Sequence, residues 1–572
     1  MKFINKLFLL ALIVGFVACD TELDLQNDPN QVTPDKASVS DLYNNIQLTF
    51  ANVFANAEFK GAQLSRMDHM GNFTYEADVS PNTTNGLWFA AYSNLFPDVE
   101  ALLTLTEERG LDIHSGSAKI FKAYTLMALV DNLNNVPFSE AGQGTDVISP
   151  KADSGESVYA AAIALLDEAI AQMSGTNAAG PTNDFYYGGD GAKWITLANT
   201  LKLRAAVTTR LVDPSGAAAT VNAIIAGGDY IDDASEDFVA QFGSTRDNPN
   251  SRHPDYNNNY EDGGVAYESN YMMWLMRAGY ADEDGNPIAD PRLRYYYYRQ
   301  TDDSNNQDPT VYSCHFSTLP EDPEGRPAHF DLIDDRLPYC TAYPDGYYGR
   351  DHGNGEGTPP DGFIASTKGL YPAGGQFDEN SFQNTSQAGT TGGKGAGFFP
   401  IMLSSYVDFM VAEAVLTAGA SGDARALLES GFRKSMAKCQ SMESLVAADL
   451  NATETVREVE ISKRDLYVPT AEEIDEFVAE VLTRYDAADA TGKLNILMTE
   501  YYKALFGNGL EAYNMYRRTG MPLNIQPTLE PAGGNFPRSL FLPAVNVNRN
   551  GNATQKELTE LVFWDNGSAD VK

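Results

Sequence analysis

A mainly α-helical protein, built from tetratricopeptide-like helix pairs with a large loop-rich insertion, is what this sequence predicts. Three observations predict it. Apolar residues recur at helical spacing in segments before about residue 247 and again after about residue 400. Two of the early segments begin close to one tetratricopeptide period apart, about 34 residues. Between about 248 and 400 the helical pattern gives way to Gly, Pro, Asn, Asp and Tyr.

At the N-terminus, Lys2 and Lys6 precede an apolar run from Leu7 to Val17, the length of a signal-peptide core and too short to span a bilayer. Small Ala18 precedes Cys19, and Asp20, Glu22 and Asp24 follow. An ordinary secretory signal would leave that cysteine accidental. A bacterial lipoprotein signal, residues 1–18 removed and Cys19 lipidated, accounts for its position and is the preferred reading. Each buried CH₂ of an acyl chain contributes about 0.8 kcal/mol of membrane affinity. Residues 19–572 are then expected to form a single domain, with a helical scaffold over about 37–247 and 400–520 and a loop-rich region over about 248–400.

Within the scaffold, "DSGESVYAAAIALLDEAI" places Tyr159, Ile163, Leu166 and Ile170 on one face, and Asp153 with Glu156 reads as a capping box. "DGAKWITLANTLKLRAAVTTRL" places Trp194, Leu197, Ala198, Leu201 and Ala205 on one stripe. These two read as a degenerate helical repeat. "SSYVDFMVAEAVLTAG" and "DARALLESGFRKSM" form another predicted pair, punctuated by Gly419 and Gly422. "LNILMTEYYKALFGNGLEAYNMYRRTG" supplies one or two more helices. The loop-rich middle is too long to be idle padding in a compact protein, and its tyrosines predict an ordered functional surface.

The formal charge of −38 repels nucleic acid, whose phosphates need a concentrated basic surface. Of the four cysteines, Cys314 and Cys340 flank one irregular segment where a disulfide is an option, and Cys439 falls on a predicted helix as a buried free thiol. Six scattered histidines form no HExxH pair, and no GxSxG elbow occurs. "TGGKGAG" has Gly395 where a phosphate-binding loop needs Ser or Thr, so it reads as a glycine-rich turn. Asp282, Asp284 and Asn286 alternate like the first half of a calcium loop, but the closing glutamate is missing, which makes a structural calcium the weaker reading beside a solvated turn. Nothing among the 78 acidic residues selects a pair for glycoside hydrolysis, which favours binding over turnover.

Several segments, taken in order, resemble the SusD/RagB family of nutrient-binding outer-membrane lipoproteins of the Bacteroidetes. "DNLNNVPFSEAGQG" resembles the family's aspartate and "VPYSEA" turn through Asp131, Pro137, Phe138, Ser139, Glu140 and Ala141. "GGDGAKWITLANTLKLRAA" is similar to the next signature, through Asp190, Trp194, Asn199 and Arg204 among others. "ADPRLRYYYY" resembles the mid-chain "DPRL" turn at Asp290, Pro291, Arg292 and Leu293. Glu413 in "VAEAVLTAG", Glu511, Arg517 and Arg518 in "NGLEAYNMYRRTGMP", and Arg538 in "FPRSLFLPAVNVNRN" resemble the late segments. "GYYGRDHGNGEGTPPDGF" resembles an extended loop of one family branch.

That resemblance implies a cell-surface receptor, not an enzyme. It would bind oligosaccharide, or oligopeptide as on the RagB side, and pass it to a SusC-like TonB-dependent transporter. It implies an outer-membrane lipid anchor at Cys19, with the acidic residues after it serving as an export tag. A surface glycoside hydrolase is the rival reading. The matched residues read as scaffold by their own physics: Trp194 as core, and Asp131, Glu413 and Arg517 as buried partners. Ligand contacts are therefore sought in the loops. Sugar rings stack on aromatic faces while their hydroxyls need polar partners. Tyr347 and Tyr348 with Arg350, Asp351, His352 and Asn354 suit that description, although a self-bonded loop would look the same. Tyr256 and Tyr260 in "HPDYNNNYEDGG" are a second candidate, and Trp274 on an apolar helix a third. Trp88 is expected in the core.

Overall fold

A computed structural model describes residues 38–261, 267–302, 328–339, 343, 345–354, 365–385 and 389–572. The expectations for Cys19 and for Cys314 and Cys340 lie outside the described residues. Helix α1 (Val39–Leu64) is capped by Ser38, whose side chain accepts from the Asp41 amide, and it buries Tyr43, Ile46, Phe50, Val53, Phe54 and Ala57 at helical spacing. A π-helical segment (Phe89–Leu95) leads into α2 (Phe96–Thr106). Helix α3 (Asp112–Leu133) is buried around nearly its whole circumference, because α1, α2, α4 (Gly155–Met173) and α5 (Gly191–Thr208) all pack on it. Helix α6 (Pro214–Gly227) closes the series against α5.

The predicted stripe of α5 holds: Trp194, Leu197, Ala198, Leu201 and Ala205 are all buried. On α4, Tyr159 and Leu166 are buried while Ile163 and Ile170 stand at its edge. The expected capping box is corrected. Ser154 caps α4, and Asp153 turns away to accept from the Phe138 and Ser139 amides at 2.8 and 2.9 Å. Asp153 is drawn there because its backbone bridges Val136, which fixes the turn at Pro137.

The middle of the chain is short elements joined by turns. Strand β1 (Phe238–Gln241) is followed by α7 (Pro254–Tyr260), α8 (Asn270–Ala278), the hairpin β2 (Tyr280–Ala281) and β3 (Pro287–Ile288), then β4 (Tyr297–Tyr298) and β5 (Thr367–Lys368). Strand β6 (Phe398–Met402) returns to pair antiparallel with β1, and β4 pairs with β5. "TGGKGAG" is a packed turn. A Cβ on Gly392, whose φ is +60°, would stand 2.2 Å from the Gly375 carbonyl oxygen, so only glycine fits.

After β6 the helices resume as α9 (Ser404–Ala418) and α10 (Ala424–Gln440), with Gly419 in the left-handed conformation ending α9. A hairpin of β7 (Thr453–Val456) and β8 (Val459–Ser462) precedes α11 (Ala471–Ala487), α12 (Ala490–Ala504) and α13 (Gly509–Thr519). Cys439 on α10 is buried and free, and burial pushes its thiol up. Among the described residues no helix is long and apolar enough to cross a membrane.

Buried charge ties the early helices to the late ones. Asp131 accepts from Arg204, Tyr159, Asn514 and Trp564, and Arg204 also reaches Glu511 at 2.6 Å. Glu413 sits between Arg210 (2.7 Å) and Arg518 (2.6 Å). Arg517 donates to the Asp131 and Arg538 carbonyls and lies over the rings of Tyr513 and Trp564. Arg292 joins Asp290 and Glu500 at 2.7 and 2.8 Å. Trp194 donates to Asp184 at 2.8 Å. These residues hold helices together, as their sequence context predicts. Asp131, Arg204, Glu413 and Arg292 each meet an opposite charge and Arg517 meets carbonyls, which matters because an unpaired buried charge costs several kcal/mol.

Candidate functional site

The turn after α1, the first turn of α7, the entry to α8 and strand β5 converge on one part-buried polar cluster whose acids keep some open surface. Backbone bonds from the Met67 and Asp68 amides to the Ala62 carbonyl fold the chain back after α1 and deliver Asp68 and His69. His253 caps α7 and Pro254 starts it, which sets Asp255 in the first turn. Asp68 bridges Glu268, and Ser269 bridges Arg350, so the entry to α8 is held on both sides. Register with Tyr297 places Lys368 on β5.

Lys368 is the hub. Its Nζ lies 3.0 Å from Asp68 Oδ1 and 3.1 Å from Asp255 Oδ2. The two carboxylates keep 22% and 34% of their side-chain surface open against 11% for the lysine, so the acids are in part-contact with solvent. Burial pushes Asp255 up, but Lys368 and His253 outweigh it and hold the carboxyl below its usual value. Burial opposes charge on Lys368, yet Asp255, Asp68, Glu268 and Glu58 raise it well above the ordinary lysine value. Glu58 and Glu268 are driven the other way, chiefly by burial, which raises both carboxyls well above their usual value.

Above the acids stand His69 and Tyr267, both half-buried, with ring centroids 6.1 Å apart at 87°. The Arg350 guanidinium lies over Tyr267 at 4.1 Å and donates to its hydroxyl at 3.1 Å. Burial, with help from Arg350, lowers His69 to about 4, so it is neutral at physiological pH. Its ring bonds the Asn354 backbone in the sense that favours protonation, so the ring donates there. Its Nε2 is buried with no hydrogen-bond partner among the described residues. The second nitrogen of a neutral imidazole that donates with the first is an acceptor. The cluster thus offers ring surfaces at right angles and two part-open carboxylates, while the unpartnered His69 nitrogen is itself buried.

The sequence candidates fall around this cluster, not in it. Tyr347, Tyr348, Arg350, Asp351, His352 and Asn354 are all buried, which corrects the expectation of an exposed stacking loop. Tyr347 donates to Asp378 and carries Arg299 on its ring, while Asp351 accepts from Asn270 and Gln526. His352 packs against Tyr75, with burial holding its imidazole well below the usual value. Tyr256 and Tyr260 stack on each other at 4.6 Å and 7°, and their hydroxyls donate to the Thr391 and Lys368 carbonyls. They buttress β5 instead of facing solvent. Trp274 is buried beside Tyr271 with Arg336 over its ring. The physical reason is common to all: a loop this long orders itself by spending its own rings and polar groups internally. Trp88, expected in the core, is half-buried.

Asp282 takes both its oxygens into its own hairpin turn, from the Asp284 and Asn286 amides and the Asn286 side chain at 2.8–2.9 Å. Those donors point where a cation would sit, so the calcium reading does not fit this turn. Among the described residues no group of three His, Cys, Asp or Glu is placed to hold a metal ion.

Sequence reasoning missed Asp68, His69, Asp255, Tyr267, Glu268 and Lys368. The only local signal was the "MDHM" alternation after a long helix.

A helix-pair frame carrying a polar cluster at the seam with its irregular middle defines a binding scaffold. Residues 29–323, just over half the chain, match the family model described as starch-binding associating with outer membrane, and residues 368–571 match the one described as SusD and RagB outer membrane lipoprotein. The chain belongs to this SusD/RagB family. A solved SusD/RagB family protein from Bacteroides thetaiotaomicron is 18% identical with a TM-score of 0.62, covering 93% of this chain and 99% of its own. A chitin-binding protein is 19% identical with a TM-score of 0.61, covering 92% and 100%. A chitin-binding SusD homolog from Flavobacterium johnsoniae is 18% identical with a TM-score of 0.55, covering 92% and 99%. At such identities the likeness is one of fold. No curated protein matches.

Proposed function

We propose that this protein is a non-catalytic receptor of the outer membrane that holds oligosaccharide at the Lys368 cluster and hands it to a TonB-dependent transporter. Cys19, lipidated after removal of residues 1–18, would tether it at the cell surface. The observation that carries this reading is the unpartnered His69 Nε2 beside the Tyr267 ring and the part-open Asp68 and Asp255, a set matched to hydroxyls and an apolar ring face. Family membership supports it, and two structural neighbours are named for chitin binding. The transporter partner rests on the family resemblance. Oligopeptide is the other ligand class that resemblance offers.

One feature favours the rival hydrolase: burial raises the Glu268 carboxyl well above its usual value beside Asp68. Against it, Glu268 is only 2% exposed and Lys368 ties up Asp68 and Asp255, so these acids are not free to flank a glycosidic bond. Calorimetry with a panel of oligosaccharides and oligopeptides, run beside an assay of reducing-end release, tests both readings. Saturable glycan binding that His69→Ala abolishes, without release, is the expected result. Release that stops in Glu268→Gln would establish the hydrolase instead, and peptide binding alone would move the ligand class.

A further inference from the structure

The start of α2 and the turn after α3 enclose a second cavity, of about 390 Å³, lined by Tyr92, Phe96, Pro97, Lys122, Phe138 and Gln143. It shares no residue with the Lys368 cluster. Tyr92 and Phe96 meet edge to face, with centroids 5.2 Å apart at 90°. The Tyr92 hydroxyl already donates to the Pro137 carbonyl at 2.6 Å, which leaves only its ring for the cavity. Lys122 Nζ stands 5.9 and 5.8 Å from the Phe96 and Phe138 centroids and pairs with Glu100, which also lines the space. All three rings are partly open to solvent.

The volume, the aromatic walls and the few convergent polar groups are those of a small-molecule pocket, for which about 300–1,000 Å³ is usual. The lining selects among ligands. An acyl chain would strip water from Lys122 and Gln143 without replacing its hydrogen bonds. An ion of either sign would have to compete with the existing Lys122–Glu100 pair. A neutral pyranose meets every demand: its C–H faces lie on the rings, and its hydroxyls reach an ammonium donor, a carboxylate acceptor and an amide that is both. An aromatic patch serving only to seal the helix–turn junction would close on itself, and this one leaves a cavity.

We propose that this cavity is a second glycan subsite, taking one pyranose of a neutral oligosaccharide. The proposal shares its ligand class with the receptor reading but none of its residues. Trp88 supplies a local reporter. It packs against Tyr92 with ring centroids 4.3 Å apart and tilted by 36°, and is the one tryptophan of four that is not buried.

The test titrates the full chain with maltopentaose, cellopentaose and chitopentaose and follows tryptophan fluorescence. At least one sugar is expected to give a saturable change that vanishes in Trp88→Phe, weakens about tenfold in Phe138→Ala, the scale of one lost aromatic anchor, and persists in the cluster variant His69→Ala. Should Phe138→Ala melt early, Ala141→Phe, which fills the cavity from the turn, replaces it. No saturable change with any sugar, a change that survives Trp88→Phe or both cavity variants, or one lost in His69→Ala overturns the subsite. The Lys368 cluster is judged separately, by calorimetric binding lost in His69→Ala.

Discussion

Replacing Lys368 by methionine keeps the stem and deletes the charge at the hub of the cluster. Asp68 and Asp255 then have no other cation within ion-pair distance among the described residues, in place of Nζ contacts at 3.0 and 3.1 Å. Breaking a fully buried pair from one side costs about 3–5 kcal/mol. Here the acids keep 22% and 34% of their side-chain surface, so water screens part of the loss, and about 2 kcal/mol is expected at neutral pH. The pH dependence has a definite sign. Lys368 helps hold Asp255 below its usual value, so that stabilisation is present above the unfolded value of about 3.9 and is lost as pH falls through the lower folded one. The variant's deficit relative to wild type should therefore be full at pH 7 and shrink near pH 3. Urea unfolding of both proteins at the two pH values measures it. A deficit of equal size at both, or none at pH 7, would refute the assignment of Lys368 as the charge that holds the cluster together.

Glu413 is lowered to about 2, since Arg518 and Arg210 outweigh the burial that pushes it up, and this is worth about 3 kcal/mol above pH 4.5, lost as pH falls toward 2. Glu413→Gln should lose most of that stability at pH 7, read by chemical denaturation, and an unchanged midpoint would contradict it. Glycan binding at the cluster should be flat from about pH 5 to 8 and fall as pH drops through about 4, where protonation consumes the His69 Nε2 lone pair. A His69→Gln variant, which keeps a side-chain acceptor, should bind better than His69→Ala; equal affinity would remove the acceptor role. Because Asp282 is satisfied within its own turn, chelation should move the melting temperature by less than about 1 °C, and a clear rise on adding calcium would reinstate a cation site.

The helical frame was legible because its signals are local. The stripe on α5 and the αL glycine ending α9 follow from spacing and residue type within one helix. Even the buried ions Asp131, Glu413 and Arg517 announced themselves, since a charge inside an apolar helical pattern has to find a partner. The capping of α4 was misassigned by one residue because Asp153 answers to the Phe138 amide, fifteen positions upstream. That interaction is set by packing and leaves no periodic trace.

The cluster was not legible for a related reason, and the reason bears on where ligands sit in such a chain. Tyrosines crowded in the insertion look like a binding face, but a segment with little regular secondary structure must order itself through side chains. Tyr256, Tyr260, Tyr347 and Tyr348 are consumed in that task, with the hydroxyls of Tyr256 and Tyr260 on carbonyls. What remains for a ligand are groups whose partners come from distant parts of the chain and leave one side open: Asp68 from the end of α1, Asp255 from α7, Tyr267 before α8, Lys368 from β5. Lys368 and Asp68 stand 300 residues apart, and no window of sequence contains both. Residue type marks what a loop can use to hold itself, and only the folded chain shows which groups it leaves part-open, as it does Asp68 and Asp255.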